Sequence, residues 1–335
     1  VHGPIIEESE LDLPPGGILN RTTPVSLDQV STNEFGQLVT TVPIRSFTPA
    51  DDGRLWLDEA GVYPVSIEIR GPEGPVASTR TNLIRLPTET AELELLPVGI
   101  ILGVASADGL TIAEASRLLA NHPTVPLSVL LGDGVLAQLY DDPALAEMFQ
   151  VAVNDRPVLA RPELSLDPSA LAEIGQEDLY EDALISTRAE MTELGLRPTE
   201  TLLPIDLPLT PQGARMLLEL GVDRVIDVNA SSQPGGAIAT PDGQLQVIRI
   251  DDELTSEFAA RSRAESRAHH LLARLAVRYE TDRTPVVLGG PAMAKAEINS
   301  LEILLSAVDQ LGLLEAVGLN SIVSGQVPIR PAESP

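Results

Sequence analysis

The 335-residue sequence has no cysteine, few aromatic residues and few basic ones. The absence of cysteine excludes disulfides, zinc–thiolate sites and a cysteine nucleophile. Aromatic residues make up 3% of the chain, which argues against a broad stacking platform for sugars or exposed bases. There are 49 acidic against 22 basic side chains, giving a formal net charge of -27. Such a surface favours solubility, and it argues against nucleic acid and anionic lipid as partners.

A hydrophobic run long enough to cross a membrane is also missing. The most apolar run, at 95–105, is shorter than the roughly 20 residues that a spanning helix needs. No signal peptide is visible, and the chain begins on Val1-His2-Gly3. We therefore expect a fragment that does not itself insert into a membrane, taken from a longer protein whose targeting and anchoring segments are absent.

What the chain does have is a 43% hydrophobic content, enough for a real core, arranged in two patterns. In "QLVTTVPIRS" and "VYPVSIEIRG" apolar residues recur at every second position, which is typical of half-buried strands. Turn residues at 71–75 separate the second stretch from a returning strand. This predicts an all-β immunoglobulin-like sandwich at 1–87, followed by an acidic linker at 88–97. Asp58-x-x-Gly61-x-Tyr63 resembles the corner at which a tyrosine fixes a strand start in immunoglobulin-like bacterial domains.

Beyond the linker, seven continuous apolar strands alternate with helical stretches. This order predicts parallel strands covered by helices, closed into an α/β barrel of the (β/α)7 type over 98–325, with a C-terminal tail at 326–335. Three of the predicted helices are long, at 135–149, 168–194 and 252–279, and the segment 231–236 is predicted to be a flexible loop.

Four carboxylates follow the predicted strands, where the sites of such barrels lie. Any two of them are candidates for the acid/base pair of a metal-independent glycan hydrolase: Glu163, Asp206, Asp227 and Asp251. The opposing interpretation is structural, because Asp is frequent at the start of the next helix as a cap. The four histidines offer no metal pair with helical spacing, so we expect no metal and no cofactor.

Arginines form a stripe on the predicted helix at 252–279. Four of them fall within about 60° on a helical wheel, and no acidic residue lies three or four positions away within the helix: Arg263, Arg267, Arg274 and Arg278. The stripe is a candidate surface for an acidic partner or for phosphate and carboxylate groups. A solvated helix face, paired with acidic groups from elsewhere, is the alternative.

The order of strands, helices and motifs over 97–323 resembles a polysaccharide deacetylase barrel. The stretches that carry the resemblance are "LGLRPTETLLPIDLPLTPQGARMLLELGVDRVIDV" and "TPVVLGGPAMAKAEINSLEILLSAVDQLGLLEAVGLNSI". The resemblance implies a deacetylase-like scaffold with a site at the strand ends.

The motifs of the family's chemistry are absent from these places. Ala105-Ser106-Ala107-Asp108-Gly109 stands where the family has Thr-Phe-Asp-Asp-Gly, and the stretch 161–167 has no histidine in place of His-x-x-x-His. Leu288-Gly289-Gly290 stands in place of Leu-His-Asp. The resemblance therefore implies a degenerate barrel, in which oxygen ligands for a hard cation remain an alternative: Asp108, Glu163 and Asp206.

The two-domain arrangement is also similar to an uncharacterised family of actinobacterial cell-envelope proteins. "LDEAGVYPVSIEIRG", and "RPVLARPELSLDPSALAEIG" followed by "LPIDLPLT", carry this second resemblance. It implies an extracytoplasmic, membrane-anchored protein. We therefore expect a non-catalytic module that binds peptidoglycan, another envelope glycan or a membrane protein. The glycan hydrolase above is the alternative, and a structural spacer without a concave site is a third.

Overall fold

The structure is a computed structural model that describes most of the predicted barrel and parts of the N-terminal region. The described residues are 30–32, 38–40, 61–71, 74–85, 95–105, 110–162, 166–205, 208–231, 235–259, 264–281, 283–289, 298–310 and 313–322.

Two antiparallel strand pairs are described in the N-terminal region. Strand β1 (Val30–Thr32) pairs with β2 (Leu38–Thr40), and β3 (Gly61–Gly71) pairs with β4 (Gly74–Arg85) around the predicted turn. The rest of the predicted sandwich lies outside the described residues, so the immunoglobulin-like fold and the domain boundaries stay predictions.

Eight further strands follow in chain order, and seven of them run parallel in two sheets. They are β5 (Leu96–Val104), β6 (Leu127–Leu131), β7 (Val158–Leu159), β8 (Leu202–Ile205), β9 (Arg224–Ser231), β10 (Gly236–Thr240), β11 (Gly243–Asp251) and β12 (Val286–Leu288). One sheet has the order β12-β5-β6-β7 and the other β10-β11-β9-β8, with β10 alone antiparallel. A last strand, β13 (Leu314–Ala316), adds to β5 in parallel. The predicted α/β class with a parallel sheet is confirmed.

The two sheets meet at both edges. A parallel bridge joins Val158 of β7 to Pro198, just before β8, and the Thr199 amide donates to the Val158 carbonyl at 2.8 Å. At the other edge β11 lies beside β12. The ring order is therefore β5-β6-β7-β8-β9-β11-β12, and all seven carboxyl ends point to one face.

Two separate apolar clusters show how the ring is filled. The inner cluster takes at least one side chain from each of the seven strands: Ile101, Leu130, Leu159, Leu202, Ile226, Val228, Ile248, Ile250 and Val287. Leu319 and Ile322 join it from the C-terminal segment. The outer cluster holds the alternate strand residues and the inward faces of the helices. Because successive side chains of a strand point to opposite faces, membership of a cluster tells which way each residue points.

Nine helices cover the described part of the ring. They are α1 (Ile112–Asn121), α2 (Val135–Asp141), α3 (Pro143–Val153), α4 (Pro168–Glu173), α5 (Glu177–Glu193), α6 (Pro211–Glu219), α7 (Asp252–Thr255), α8 (Ala264–Thr281) and α9 (Ile298–Gln310). Strands β3 and β4 lie against α8. None of these helices is long and apolar enough to cross a membrane.

The three long predicted helices are each interrupted, so the prediction of continuous helices was wrong. Asp142 is extended, caps α3 through the Ala144 and Leu145 amides, and precedes Pro143 at the first helical position. Gly175, with φ 65°, separates α4 from α5. After α7 the chain forms a 3-10 turn, Ser256–Ala259, before α8 begins.

Of the segment predicted to be a flexible loop after β9, 232–234 lies outside the described residues, and β10 begins at Gly236. Strand β10 pairs with β11 across a tight turn that reaches Gly243 at φ 154°. The hairpin extends the edge of the second sheet beyond the seven parallel strands.

Candidate functional site

An ion pair joins the carboxyl ends of two neighbouring strands of the ring. Asp133 follows β6 and Arg161 follows β7, and the Arg161 Nη2 atom lies 2.5 Å from the Asp133 Oδ1 atom. The Asp133 side chain is 81% exposed and that of Arg161 is 34% exposed. The pair therefore presents both a carboxylate and a guanidinium to solvent on the face where barrel sites lie.

The backbone at Gly132 fixes the position of Asp133. The Gly132 amide donates to the Val104 carbonyl at 2.7 Å, which ties the end of β6 to the end of β5. A Cβ atom at Gly132 would stand 2.8 Å from that same oxygen, so only glycine permits this approach. Gly134, with φ 74°, then turns the chain into α2.

A small cavity opens beside the ion pair. Apolar side chains from both strands and from α2 and α5 line it, including Leu131, Leu136, Leu159 and Met191. Its volume is about 20 Å³, which is room for about one water molecule. Within the described residues, this part of the strand-end face suits a ligand lying across the surface rather than one enclosed in a pocket.

Helix α5 is held beside this cavity by a half-buried arginine. The Arg188 Nη2 atom donates to the Glu200 carbonyl oxygen at 2.6 Å, which links α5 to the chain just before β8. Burial lowers the pKa of the Arg188 guanidinium. Thr187, which directly precedes Arg188, is buried and contributes to the cavity wall.

Gly289, directly after β12, occupies the position where the deacetylase resemblance implies a histidine. A Cβ atom there would stand 2.5 Å from the Ile101 Cβ atom and 2.6 Å from the Ile101 carbonyl oxygen. Its φ of 149° is a conformation that side-chain-bearing residues rarely adopt. The backbone itself therefore fills the space that a side chain would need.

Two of the four candidate carboxylates, Asp227 and Asp251, lie among the described residues. Glu163 and Asp206 lie outside the described residues, as does Asp108 of the alternative cation site. Asp251 caps α7, because its Oδ1 atom accepts a hydrogen bond from the Leu254 amide at 2.9 Å. Its Oδ2 atom lies 2.9 Å from the Arg278 Nη2 atom. Asp251 thus binds groups of the helix layer.

Asp227 also faces the helix layer. It stands between Ile226 and Val228, which both belong to the inner cluster, so its side chain points outward. It is buried and lies 3.7 Å from the Nε atom of Arg249, its register partner on β11. The acid/base role of these carboxylates stays a prediction.

Two of the four arginines of the stripe, Arg274 and Arg278, are paired within the chain. Arg274 contacts Glu253 of α7 and the Glu257 Oε1 atom, the latter at 3.0 Å, while Arg278 contacts Asp251 as above. Arg267 is 6% exposed, and Arg263 lies outside the described residues. The expectation of weak pairing holds only within the helix, since the acidic partners come from the preceding segment. A partner-binding role for the stripe stays a prediction.

Among the described residues, no group of three His, Cys, Asp or Glu side chains is placed to hold a metal ion. His122 is buried at the end of α1, where its Nε2 atom lies 3.3 Å from the Glu302 Oε1 atom of α9. From the sequence alone, Asp133 and Arg161 are residues that follow predicted strands, with no role assigned to either. Their pairing requires β6 and β7 to be neighbours, which the barrel order predicts.

No protein-family model and no curated protein matches the chain. Among solved structures, it is similar to the 4-alpha-glucanotransferase from Thermococcus litoralis, with a TM-score of 0.54 and 11% identity. That match covers 69% of this chain and 40% of the glucanotransferase, so the chain spans well under half of that protein. At this identity the likeness shows the barrel fold alone.

Polysaccharide deacetylases are also structural neighbours. The family 4 carbohydrate esterase from Streptomyces lividans matches with a TM-score of 0.40 and 10% identity, covering 69% of this chain and 97% of that chain. The polysaccharide deacetylase from Bacillus cereus matches with a TM-score of 0.42 and 13% identity, covering 68% of this chain and 93% of that chain.

Proposed function

We propose that this chain is a non-catalytic, extracytoplasmic module of the cell envelope that binds wall glycan at the carboxyl ends of its barrel strands. The observation that carries the proposal is the contact between Gly289 and Ile101. The deacetylase resemblance places a histidine where this backbone leaves no room for a side chain. A scaffold that retains the barrel and fills this position suits binding better than metal-assisted deacetylation.

Two of the candidate carboxylates already contact other groups of this chain, which supports the same conclusion. Asp251 caps a helix and pairs with an arginine, and Asp227 is buried beside Arg249 on the outer side of the strands. A glycoside hydrolase needs two carboxyl groups facing one substrate at roughly 5–10 Å from each other. Side chains committed to the helix layer are poorly placed for that task.

Arg161 and Asp133 supply the chemistry that a binding surface needs. A guanidinium donates two parallel hydrogen bonds to a carboxylate, and an exposed aspartate accepts hydrogen bonds from sugar hydroxyls. Peptidoglycan carries both hydroxyl and carboxylate groups along its length. We infer that a wall glycan lies across the ends of β6 and β7, with Arg161 binding a ligand carboxylate.

The localisation rests on the resemblance to actinobacterial envelope proteins. In this proposal the module lies outside the cytoplasm and is anchored to the membrane. A membrane protein partner is the competing occupant, and the experiment below separates the two.

The test is co-sedimentation of the protein with insoluble peptidoglycan. Arg161→Met should weaken binding about tenfold, since a charge-assisted hydrogen bond contributes about 1.5 kcal/mol. Arg197→Met is the matched control, because Arg197 also forms an exposed ion pair, with Asp155, away from the strand-end surface described here. Equal binding by the two variants, or no sedimentation of the wild-type protein, would overturn the proposal. Release of soluble sugar during the assay would favour the hydrolase instead.

A further inference from the structure

Helix α3 is apolar on its outer face as well as on its inner one. Phe149 and Val153 are buried against the core. On the opposite side Met148 is 42% exposed and Val151 is 72% exposed. With the exposed Ala144 they occupy positions i, i+4 and i+7, within about 60° of one another around the helix. They form one continuous apolar strip.

A surface helix normally carries polar residues on its solvent side. The sequence of α3, "PALAEMFQVAV", has only two polar residues, Glu147 and Gln150. Single exposed apolar side chains are common and need no explanation. Adjacent ones on one face, by contrast, mark interaction surfaces.

The charge around this strip is negative. Residues 135–154 contain three acidic side chains and no arginine or lysine, and Asp155 after them is paired with Arg197. The next residue, Arg156, is buried and donates to backbone carbonyls, so it adds no exposed positive charge.

Helix α5 extends the acidic surface. The Tyr140 hydroxyl donates to the Glu190 carbonyl at 3.2 Å and to the Glu193 Oε2 atom at 3.1 Å, which joins the end of α2 to the end of α5. Helix α5 carries six acidic residues and one arginine, Arg188, which is bound to the Glu200 carbonyl.

We propose that the outer face of α3 binds a basic amphipathic helix of a protein partner. Apolar residues of that helix at i, i+3, i+4 and i+7 pack on Met148 and Val151, and its lysine or arginine residues face Glu147 and the acidic residues around it. A second copy of this chain would bring like charges together, and an anionic lipid surface would be repelled. This surface lies on the helix layer, so the inference goes beyond the proposed glycan site.

The probe is a fluorescently labelled synthetic peptide of about 18 residues with leucine at helical spacing and lysine elsewhere, long enough to form a helix. A scrambled peptide of the same composition controls for charge alone. The structure predicts saturable binding of the patterned peptide, weakened by added salt. The scrambled peptide should bind at least tenfold more weakly, since it lacks an apolar face.

Three variants localise the binding. Met148→Gln with Val151→Gln should weaken affinity about tenfold, because the apolar contact is lost. Val277→Gln on α8, whose native side chain is 47% exposed, is the matched control and should bind as the wild type does. Glu147→Lys should weaken the binding of the basic peptide and strengthen the binding of an acidic peptide of the same pattern.

All four substitutions in these three variants are on the surface, so the fold should persist, and a thermal unfolding curve for each variant checks this. Equal binding of patterned and scrambled peptides, or unchanged binding by the double variant, would overturn the proposal. So would a concentration-dependent dimer that the double variant abolishes, because the face would then bind a second copy.

Discussion

The backbone of Gly289 lies directly on Ile101 of the neighbouring strand β5. A Cβ atom added to Gly289 would come within 2.5 Å of the Ile101 Cβ atom, and that residue belongs to the inner cluster of the ring. Real Cβ contacts are not this short, so either β5 or the end of β12 would have to move. The glycine is therefore a condition of the close approach between the end of β12 and β5.

Gly289→Ala should destabilise the protein by about 3 kcal/mol, combining overpacking with an unfavourable φ. The free energy of unfolding, measured by urea titration, checks this. Gly318→Ala is the control, because no atom lies within 4 Å of its added Cβ and its φ is -65°. If Gly289→Ala cost no more than Gly318→Ala, the steric account of the missing histidine would be wrong.

Arg156 should be essential for the packing of α1 against α3. Its guanidinium is buried and donates to the carbonyls of Ala152 at 3.0 Å, Leu119 at 3.3 Å and Val125 at 3.4 Å, and also to that of His122. Arg156→Met removes all four of these buried hydrogen bonds and should lower the free energy of unfolding by about 2–4 kcal/mol, measured by urea titration.

Arg156→Lys should recover only part of that loss, since an ammonium group cannot reproduce the planar set of donors. Arg197→Met removes an exposed arginine and should change stability by less than about 1 kcal/mol. Similar losses for Arg156→Met and Arg197→Met would contradict the role given to Arg156.

Tyr180 should make the protein sensitive to alkaline pH. Burial raises the pKa of this phenol above its ordinary value. Below pH of about 10 the group is protonated in both the folded and the unfolded states. Above it the unfolded state loses the proton while the folded state keeps it. The free energy of unfolding should therefore fall by up to about 1.4 kcal/mol per pH unit from this group.

Tyr180→Phe removes that contribution. Urea unfolding at pH 8 and at pH of about 11 should show a smaller loss of stability for the variant than for the wild type, by about 1 kcal/mol. The other tyrosines affect both proteins equally. Parallel losses in the two proteins would show that Tyr180 ionises freely in the folded state.

Two substitutions at Asp251 separate the stability that it contributes as a helix cap from the stability that it contributes through its charge. Asp251→Asn keeps an oxygen that can accept from the Leu254 amide but loses the ionic contact with Arg278, whose side chain is 39% exposed. We expect a cost of about 0.5 kcal/mol for Asn and about 1–2 kcal/mol for Ala.

Neither Asp251 substitution should change glycan binding, because Asp251 faces the helix layer. Thermal unfolding and co-sedimentation measure the two effects on the same samples. A loss of binding in Asp251→Asn, with stability retained, would return Asp251 to the candidate site.

The alternation of strands and helices predicted the ring because the apolar strands are continuous. Ile101 points inward while Ile100 and Leu102 point outward, so both faces of β5 are buried and these three consecutive residues are all apolar. Two helix breaks were also readable: Asp142-Pro143 is a cap followed by a proline at the first helical position, and Gly175 is a stop.

Contacts between distant segments could not be predicted in this way. Arg274 binds Glu253, 21 positions earlier, because a turn folds α7 back along α8. The need for glycine at position 289 comes from its close approach to Ile101, which is distant in sequence. No local sequence pattern predicts that approach. The Asp242-Gly243 turn that joins β10 to β11 was a hairpin signal, and the predicted strands and helices did not include that hairpin.

The most direct test of the account is calorimetric titration of the protein with soluble peptidoglycan fragments, with and without added divalent metal, followed by mass spectrometry of the fragments. The account predicts saturable binding that metal does not change, fragments recovered with their original masses, and weaker binding by Arg161→Met. Fragments shortened or deacetylated during the titration would contradict it, and so would a flat titration in both conditions.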